Sequence, residues 1–312
     1  MRRAALLLVV LLAAVGSGCG LGAEASEEDG ASLLVTRDFG TRELGSGTAA
    51  ELPGGETVMR LLQRDFDVET RYGGGFVHAV EGVAGGRQDG RPVDWFYYVN
   101  GILAGDGAAA HPVAPADRVW WDHHDWTATP DVFAVVGAFP EPFLSGVAGK
   151  RLPVRIDCAG DAGDACDEVS RRLAGAGVKA GRSAPGGFGG EGVLRIKVGT
   201  WAAIRRDAAV RQLEQGPGTS GVYAKPNAAG DAIELLDSRG EAESTLGAGG
   251  GLVAATKLGG EAPTWVVTGT DDIGVAAAAA LLEEETLRAH FAVAVEDGRP
   301  IRLPILPPPE TP

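Results

Sequence analysis

The chain has 312 residues, of which 42 are acidic and 28 are basic, and its formal net charge at pH 7 is −14. So acidic a protein is not expected to bind nucleic acid or to dock electrostatically on anionic lipid, because like charges repel. The length is sufficient for two domains of ordinary size.

The N-terminus carries the three parts of a secretory signal. A basic start is followed by an apolar run from Ala4 to Val15 and then by small residues up to Gly18. The apolar run is shorter than the about 20 residues that a membrane-spanning helix needs. We therefore predict that residues 1–18 are a signal peptide, cleaved from an exported protein.

Cys19 directly follows the small residues Ser17 and Gly18. This junction resembles the lipobox of bacterial lipoproteins, in which the cysteine carries diacylglycerol, although Gly16 stands where the pattern prefers leucine. The resemblance implies lipidation at Cys19 and an extracytoplasmic protein anchored to the membrane; secretion without an anchor is the alternative. Residues 19–31 are small, polar and acidic, which predicts a flexible tether.

The other two cysteines, Cys158 and Cys166, lie close together in the sequence. An exported chain folds in an oxidising compartment, so the pair is predicted to form a disulfide. Two cysteines at this spacing lack the partner residues of a zinc site, and no metal site is predicted.

Residues 32–127 are predicted to consist mostly of strands. Apolar runs rich in aromatic and β-branched residues predict four strands, at 32–36, 76–80, 94–99 and 118–121. Apolar residues at helical spacing predict a short amphipathic helix at 56–63. Asn100-Gly101 predicts a hairpin, because both residues tolerate the positive φ angles of a type I′ turn.

The segment 128–152 is predicted to be a proline-rich linker. Its prolines resist helix formation, whereas its phenylalanines indicate packing against a neighbouring domain. Residues 153–303 then alternate between two kinds of element, which indicates an α/β domain. The predicted strands are 152–158, 192–198, 232–236, 251–256, 264–268 and 291–295, and the predicted helices are 165–174, 201–215 and 271–288. Residues 304–312, with five prolines, are predicted to be extended or disordered.

An ordered series of motifs runs through the first half of the chain. It includes GETVMRLL at 55–62, WFYYVNG at 95–101 and DRVWW at 117–121. The series resembles the DUF4430 family, which is similar to the C-terminal β domain of transcobalamin and intrinsic factor. The resemblance implies an α+β protein, with a β-grasp-like domain at 32–127 before the α/β domain. It also implies a corrinoid ligand, with cobalamin as the expected one, and a membrane importer as partner. The animal carriers hold the vitamin between this β domain and a helical barrel, which the present chain lacks.

The candidate ligand-binding residues are aromatic or polar and cluster around the hairpin motif. They are Trp95, Tyr97, Tyr98, Asn100, Trp120, Trp121, His123, His124 and Trp126. Aromatic rings with polar edges grip large planar or sugar-like ligands. Alternation along a strand places Trp95 and Tyr97 on one face and Phe96 and Tyr98 on the other, so at least one set is expected to be core.

The run Asp122-His123-His124-Asp125 has two interpretations. Imidazole is a common metal ligand, which suggests a metal site or an axial ligand to cobalt. Neighbouring histidines on a strand point to opposite faces, however, and no third ligand is placed by spacing. We therefore favour a polar turn at the end of the last strand, with solvated histidines.

Two functional hypotheses follow. No nucleophile, zinc-protease or phosphate-loop motif stands out, so no enzyme activity and no catalytic residue are expected. The first hypothesis is an exported lipoprotein that captures cobalamin or a similar cofactor for an uptake system. The alternative is an interaction module of the cell envelope that binds protein or polysaccharide and has no small-molecule ligand.

Overall fold

A computed structural model describes residues 30–160, 162–183 and 192–306. The predicted signal peptide, the lipidation at Cys19, nearly all of the tether and residues 307–312 of the tail lie outside these ranges. Within them, no helix is long and apolar enough to cross a membrane.

The first part of the chain forms a mixed sheet and a small accessory sheet. Its strands, in chain order, are β1 (Ala31–Arg37), β2 (Arg42–Ala49), β3 (Val68–Arg71), β4 (Phe76–Val80), β5 (Val83–Ala84), β6 (Gly86–Gln88), β7 (Arg91–Val99), β8 (Ile102–Leu103) and β9 (Arg118–Asp125). Strands β2, β1, β9, β7 and β6 lie side by side in this order, and β8 pairs with β7. All four predicted strands are confirmed, but β9 extends beyond the prediction.

One helix, α1 (Val58–Asp65), packs against this sheet. The predicted helix is confirmed, but it begins at Val58 and not at Glu56, because the Thr57 side chain caps it, accepting a hydrogen bond from the N–H of Arg60 at 3.3 Å. Its apolar residues, including Leu61 and Leu62, are buried. Strand β1 forms a hairpin with β2 and pairs in parallel with β9. A hairpin, a helix and a parallel central pair are a β-grasp-like arrangement, which confirms the predicted α+β class.

The second part of the chain alternates between strands and helices. Its strands are β10 (Val154–Cys158), β11 (Ala180–Ser183), β12 (Leu194–Thr200), β13 (Ala224–Pro226), β14 (Ile233–Leu236), β15 (Ala242–Leu246), β16 (Gly251–Thr256), β17 (Thr264–Gly269), β18 (Ala292–Glu296) and β19 (Arg299–Leu303). Its helices are α2 (Gly163–Gly175), α3 (Trp201–Ile204), α4 (Ala208–Arg211), α5 (Pro217–Ser220), α6 (Asp272–Ala280) and α7 (Glu284–Leu287).

Seven of these strands form one sheet, in the order β11-β10-β12-β17-β16-β18-β19. The first four are parallel to one another, and each of the last three is antiparallel to the strand before it in this order. Strands β13 to β15 form a separate antiparallel sheet. The predicted disulfide is confirmed: Cys158, at the end of β10, is bonded to Cys166 in α2.

Two helices are shorter than their predictions. The helix predicted at 201–215 is interrupted at Asp207, whose carboxylate accepts hydrogen bonds from the N–H groups of Ala209 and Val210 and so begins a new helix. The helix predicted at 271–288 is divided into two shorter helices, α6, which ends at Ala280, and α7, which begins at Glu284. Between them, Glu283 has an extended backbone. Apolar spacing predicted helix correctly at both places, but it did not reveal the local breaks.

The proline-rich segment 128–152 lies between the two parts of the chain and contains only isolated strand bridges. On one side, the N–H of Leu103 donates to the carbonyl of Phe133 at 3.1 Å. On the other side, the N–H of Val136 donates to the carbonyl of Phe291 at 3.2 Å. The prediction that this segment avoids helix and packs against a neighbour is confirmed, while the domain boundaries at its ends stay predictions.

Two hydrophobic cores result. The smaller core lies between α1 and one face of the first sheet. The larger core joins the opposite face of that sheet, the proline-rich segment and the second part of the chain. Phe139 and Phe143, for example, pack on Trp265 with ring centroids 5.9 and 5.0 Å away. Because this core is continuous, separating the two parts would expose a large apolar surface to water.

Candidate binding cleft

The residues predicted to bind a ligand lie on or beside the paired strands β7 and β9, but most of them are buried. Eight have exposed fractions of 7% or less, namely Trp95, Tyr97, Tyr98, Asn100, Trp120, Trp121, His123 and His124. Trp126 is half-buried. A ligand cannot stack on a ring that has no exposed face. The prediction of a stacking surface is therefore wrong for the buried rings, which belong to the interior, while binding at Trp126 stays a prediction.

The aromatic residues divide between the two cores by strand alternation, as predicted. Tyr97 and Trp121 stack on the face that α1 covers, with ring centroids 4.8 Å apart. Tyr98 and Trp120 pack together on the opposite face, with centroids 5.6 Å apart. One strand pair thus supplies large side chains to both cores.

Asn100 has a structural role in the predicted hairpin turn. Asn100 and Gly101 have φ angles of 55° and 75°, as a type I′ turn requires. The Asn100 side-chain amide donates to the carboxylate of Asp117 at 2.8 Å, and its carbonyl accepts from the N–H of Arg118 at 2.9 Å. The side chain therefore ties the turn to the start of β9.

The polar turn predicted at 122–126 is wrong. Strand β9 continues to Asp125, because β7 is long enough to pair with it as far as Val93 opposite Asp125. This pairing carries both histidines into the protein interior, where neither is solvated.

The two histidines point to opposite faces, as expected for neighbours on a strand. The His123 ring packs on Trp95 with centroids 5.1 Å apart, and its Nε2 lies 3.2 Å from the carbonyl of Ala84. Burial lowers the pKa of His123. The His124 ring stacks on Phe96 at 4.5 Å. Among the residues that the structure describes, no three His, Cys, Asp or Glu side chains come together as a metal site.

The buried carboxylate of Asp122 takes part in four hydrogen bonds. Its Oδ2 accepts from the Thr36 hydroxyl at 2.5 Å and from the N–H of Gly40 at 2.8 Å. Its Oδ1 accepts from the N–H of Phe39 at 3.1 Å and lies 2.8 Å from Nδ1 of His124. Because a carboxylate offers only acceptors, we assign the proton of this last bond to His124 Nδ1.

These bonds hold an unusual turn between β1 and β2. Asp38, Phe39 and Gly40 have φ angles of 58°, 56° and 77°, and a non-glycine residue seldom occupies this region. The two N–H groups bound to Asp122 fix the turn in this shape. Phe39 consequently enters the larger core, where its ring lies 5.1 Å from that of Phe291.

An open cleft of about 770 Å³ lies between the first sheet, the proline-rich segment and α7, and of the predicted ligand-binding residues Trp120 is among those that line it. Its floor includes Ser32 and Leu34 of β1 and Ser46 and Thr48 of β2. Its walls include Glu141 and the helix end around Glu284 and Arg288. The volume lies within the roughly 300–1,000 Å³ of small-molecule sites.

Two buried carboxyl groups line this cleft. Burial raises the pKa of both Asp117 and Glu141. Glu141 accepts hydrogen bonds from the N–H and hydroxyl of Ser145 at 2.9 and 2.7 Å. Asp117 accepts from Asn100 and from the N–H of Ala114. Both groups are thus engaged by the protein itself.

Two ion pairs connect α7 to the first sheet at the cleft. Arg118 on β9 contacts Glu284 at 2.5 Å, and Arg288 contacts Glu43 on β2 at 2.9 Å. In the first pair the arginine lies on the sheet, and in the second pair the glutamate does, so each side contributes one basic and one acidic residue. We call them the cleft clamp.

Sequence reasoning missed this cleft. Ser32, Ser46, Glu141 and Arg288 are far apart in the chain, and none of them belongs to a recognisable motif. Arg118 lies within the DRVWW motif, but nothing local distinguishes it from a solvated strand residue. Only the packing of the two parts of the chain brings these residues together.

Residues 55–125 match the family described as Domain of unknown function (DUF4430). This segment is a DUF4430 domain. It contains α1, the strands β3 to β9, Asp122 and both histidines. The predicted resemblance is confirmed, and strands β1 and β2 complete the sheet from outside the matched residues. No curated protein matches the chain.

We expect Asp122→Asn to destabilise the DUF4430 domain strongly. Asparagine has nearly the same shape as aspartate, but its side-chain NH2 group would face the N–H and O–H groups that now donate to the carboxylate. At least one buried hydrogen bond to a charged group is therefore lost. The free energy of unfolding should fall by about 3 kcal/mol. Urea denaturation measures it, with Asp89→Asn as control: this exposed turn residue has a φ of 51°, which asparagine tolerates. Equal stability of the two variants would contradict the assigned role of Asp122.

The cleft clamp should contribute little to stability, because its side chains are partly exposed and water screens their charges. Glu43→Gln and Glu284→Gln should each lower the free energy of unfolding by less than about 1 kcal/mol. The difference should vanish at roughly 1 M salt. Denaturation at low and high salt checks this, with Glu285→Gln on the same helix as control. A large loss that persists in salt would show that the clamp is a buried structural pair.

Proposed function

We propose that this protein is an exported lipoprotein, anchored through Cys19, that binds a corrinoid or similar cofactor and delivers it to a membrane importer. Cobalamin is the expected ligand. The observation that carries the proposal is the cleft at the contact between the DUF4430 domain and the rest of the chain. Clefts between two packed units are common places for small-molecule sites.

The lining of the cleft fits the periphery of such a ligand. Ser32, Ser46 and Thr48 present hydroxyl groups, each of which can donate and accept a hydrogen bond. A corrin ring carries carboxamide side chains around its rim, and these are both donors and acceptors. The open cleft would hold part of the ligand by its edge. His123 and His124 are buried, so neither reaches the cobalt from this position.

A binding role fits the chemistry of the cleft better than catalysis does. Asp117 and Glu141, the carboxyl groups with raised pKa values, are engaged by neighbouring N–H and hydroxyl groups. The Ser145 hydroxyl that contacts Glu141 donates its proton to that carboxylate, and Ser145 is not among the residues that line the cleft. The protein is therefore proposed to be a carrier and not an enzyme.

A second candidate function, an interaction module of the cell envelope, rests on a different surface. At the tip between β3 and β4, Tyr72 is 88% exposed and Phe76 is 39% exposed. Their rings contact each other edge to face, with centroids 6.1 Å apart. Exposed aromatic residues are enriched where proteins meet partners.

Titration of the purified mature protein tests the first proposal. Cyanocobalamin and hydroxocobalamin should both bind with dissociation constants well below roughly 1 mM, measured by calorimetry. Ser46→Trp fills the cleft and should weaken binding at least about tenfold. The visible spectrum of bound hydroxocobalamin should match that of the free form, because the buried histidines do not replace its axial ligand.

The matched control is Ser244→Trp, the same substitution at an exposed serine of β15. It should leave binding unchanged. Absence of binding to the unaltered protein would remove the corrinoid proposal and favour the interaction module. Binding that Ser46→Trp does not weaken would place the ligand outside the cleft.

Anchoring is tested separately through Cys19→Ser. The variant should lose incorporation of labelled fatty acid and move from the membrane fraction to the soluble fraction, because the thioether to diacylglycerol cannot form. Cys158→Ser, which removes the disulfide and leaves the lipobox-like sequence intact, should keep the label. Labelling that persists in Cys19→Ser would contradict the anchor.

A further inference from the structure

The Asp122 network leaves one atom of His124 with an unmet requirement. Nδ1 of His124 donates to Asp122, and the other ring nitrogen, Nε2, needs a hydrogen-bond partner of its own whether it carries a lone pair or a proton. His124 is 1% exposed, and its Nε2 has no hydrogen-bond partner among the residues that the structure describes. An unpaired buried polar atom is costly and rare in folded proteins.

Within the same described ranges, two buried tyrosine hydroxyls also lack a hydrogen-bond partner. Tyr98 and Tyr223 are both fully buried, and neither hydroxyl has a partner within the described part of the chain. Burial raises the pKa of each, and the nearby carboxylate of Asp122 raises that of Tyr98 further. Both hydroxyls therefore keep their protons and can donate.

The three groups surround one pair of aromatic rings. The Phe39 ring lies 4.6 Å from that of His124 and 5.3 Å from that of Tyr223. The Phe291 ring lies 5.2 Å from His124 and 5.7 Å from Tyr98. His124 and Tyr98 belong to the first sheet, whereas Tyr223 belongs to the second part of the chain, so the cluster spans the contact between them.

The chemistry of the cluster selects its occupant. Nε2 of His124 and the hydroxyls of Tyr98 and Tyr223 each require a partner that can donate or accept a hydrogen bond. A metal ion would serve only the acceptors, and an anion would be repelled by Asp122. Water both donates and accepts, and buried water typically makes about three such bonds.

We propose that Nε2 of His124 and the hydroxyls of Tyr98 and Tyr223 form an internal solvent site, whose ordered water joins the DUF4430 domain to the second part of the chain. The site adds a directional contact to an otherwise apolar core. It fixes how the sheet sits on its partner, which apolar packing specifies less sharply.

A double-mutant cycle on the full mature protein tests the site. Tyr98→Phe and Tyr223→Phe each remove one hydroxyl and keep the ring. If each hydroxyl binds the shared water, each substitution should raise the equilibrium constant of unfolding about fivefold to tenfold. The double variant should raise it by less than the product of the single effects, because the second substitution finds the water already weakened.

The matched control is Tyr72→Phe at the exposed hairpin tip, where the change should stay below about twofold. Nuclear Overhauser effects between long-lived water and the two tyrosine rings give a second readout in the unaltered protein. Single variants as stable as the unaltered protein, or more stable, would overturn the site. Additive losses without long-lived water would overturn it equally, since they indicate separate contacts within the protein.

Discussion

The buried carboxylate of Asp122 is the constraint on which most of the structure depends. A carboxylate can be kept from water only if donors surround it, and here Thr36, Phe39, Gly40 and His124 supply them. To meet this requirement the chain adopts a left-handed turn that it would otherwise avoid. The turn inserts Phe39 into the larger core, so one polar requirement positions a large apolar contact.

Asp122 lies on β9, the central strand of the first sheet. This strand pairs with β1 in parallel and with β7 in antiparallel fashion, and its side chains alternate between two cores. The aromatic residues that give the motif its character are consequently structural. The cleft lies at the start of β9, where Asp117 and Arg118 of the DRVWW motif meet residues that lie far away in the chain.

The contact between the two parts of the chain combines three kinds of interaction. Apolar packing joins the sheet to the second part of the chain through the proline-rich segment. The cleft clamp connects α7 to the sheet through exposed charges, which water and salt weaken. His124, Tyr98 and Tyr223 are buried at this contact, and the water that we propose to join them would add a directional contact. A ligand in the cleft would therefore meet a firm floor and, at α7, a wall that is held less tightly.

The sequence by itself determined the strands β1, β4, β7 and β9, the Asn100-Gly101 turn and the disulfide, because each rests on neighbours in the chain: alternation, positive φ and cysteine spacing. The short strands β3, β5, β6 and β8 carry no such pattern and were not predicted. The sequence also placed the aromatic rings on two faces. Only the tertiary structure decided that both faces are buried, that β9 runs on to Asp125, and that the helix predicted at 271–288 breaks before α7. The burial of a strand face depends on which segment packs against it, and a cleft can form between segments that are distant in the chain. A local sequence pattern does not show which segments will meet.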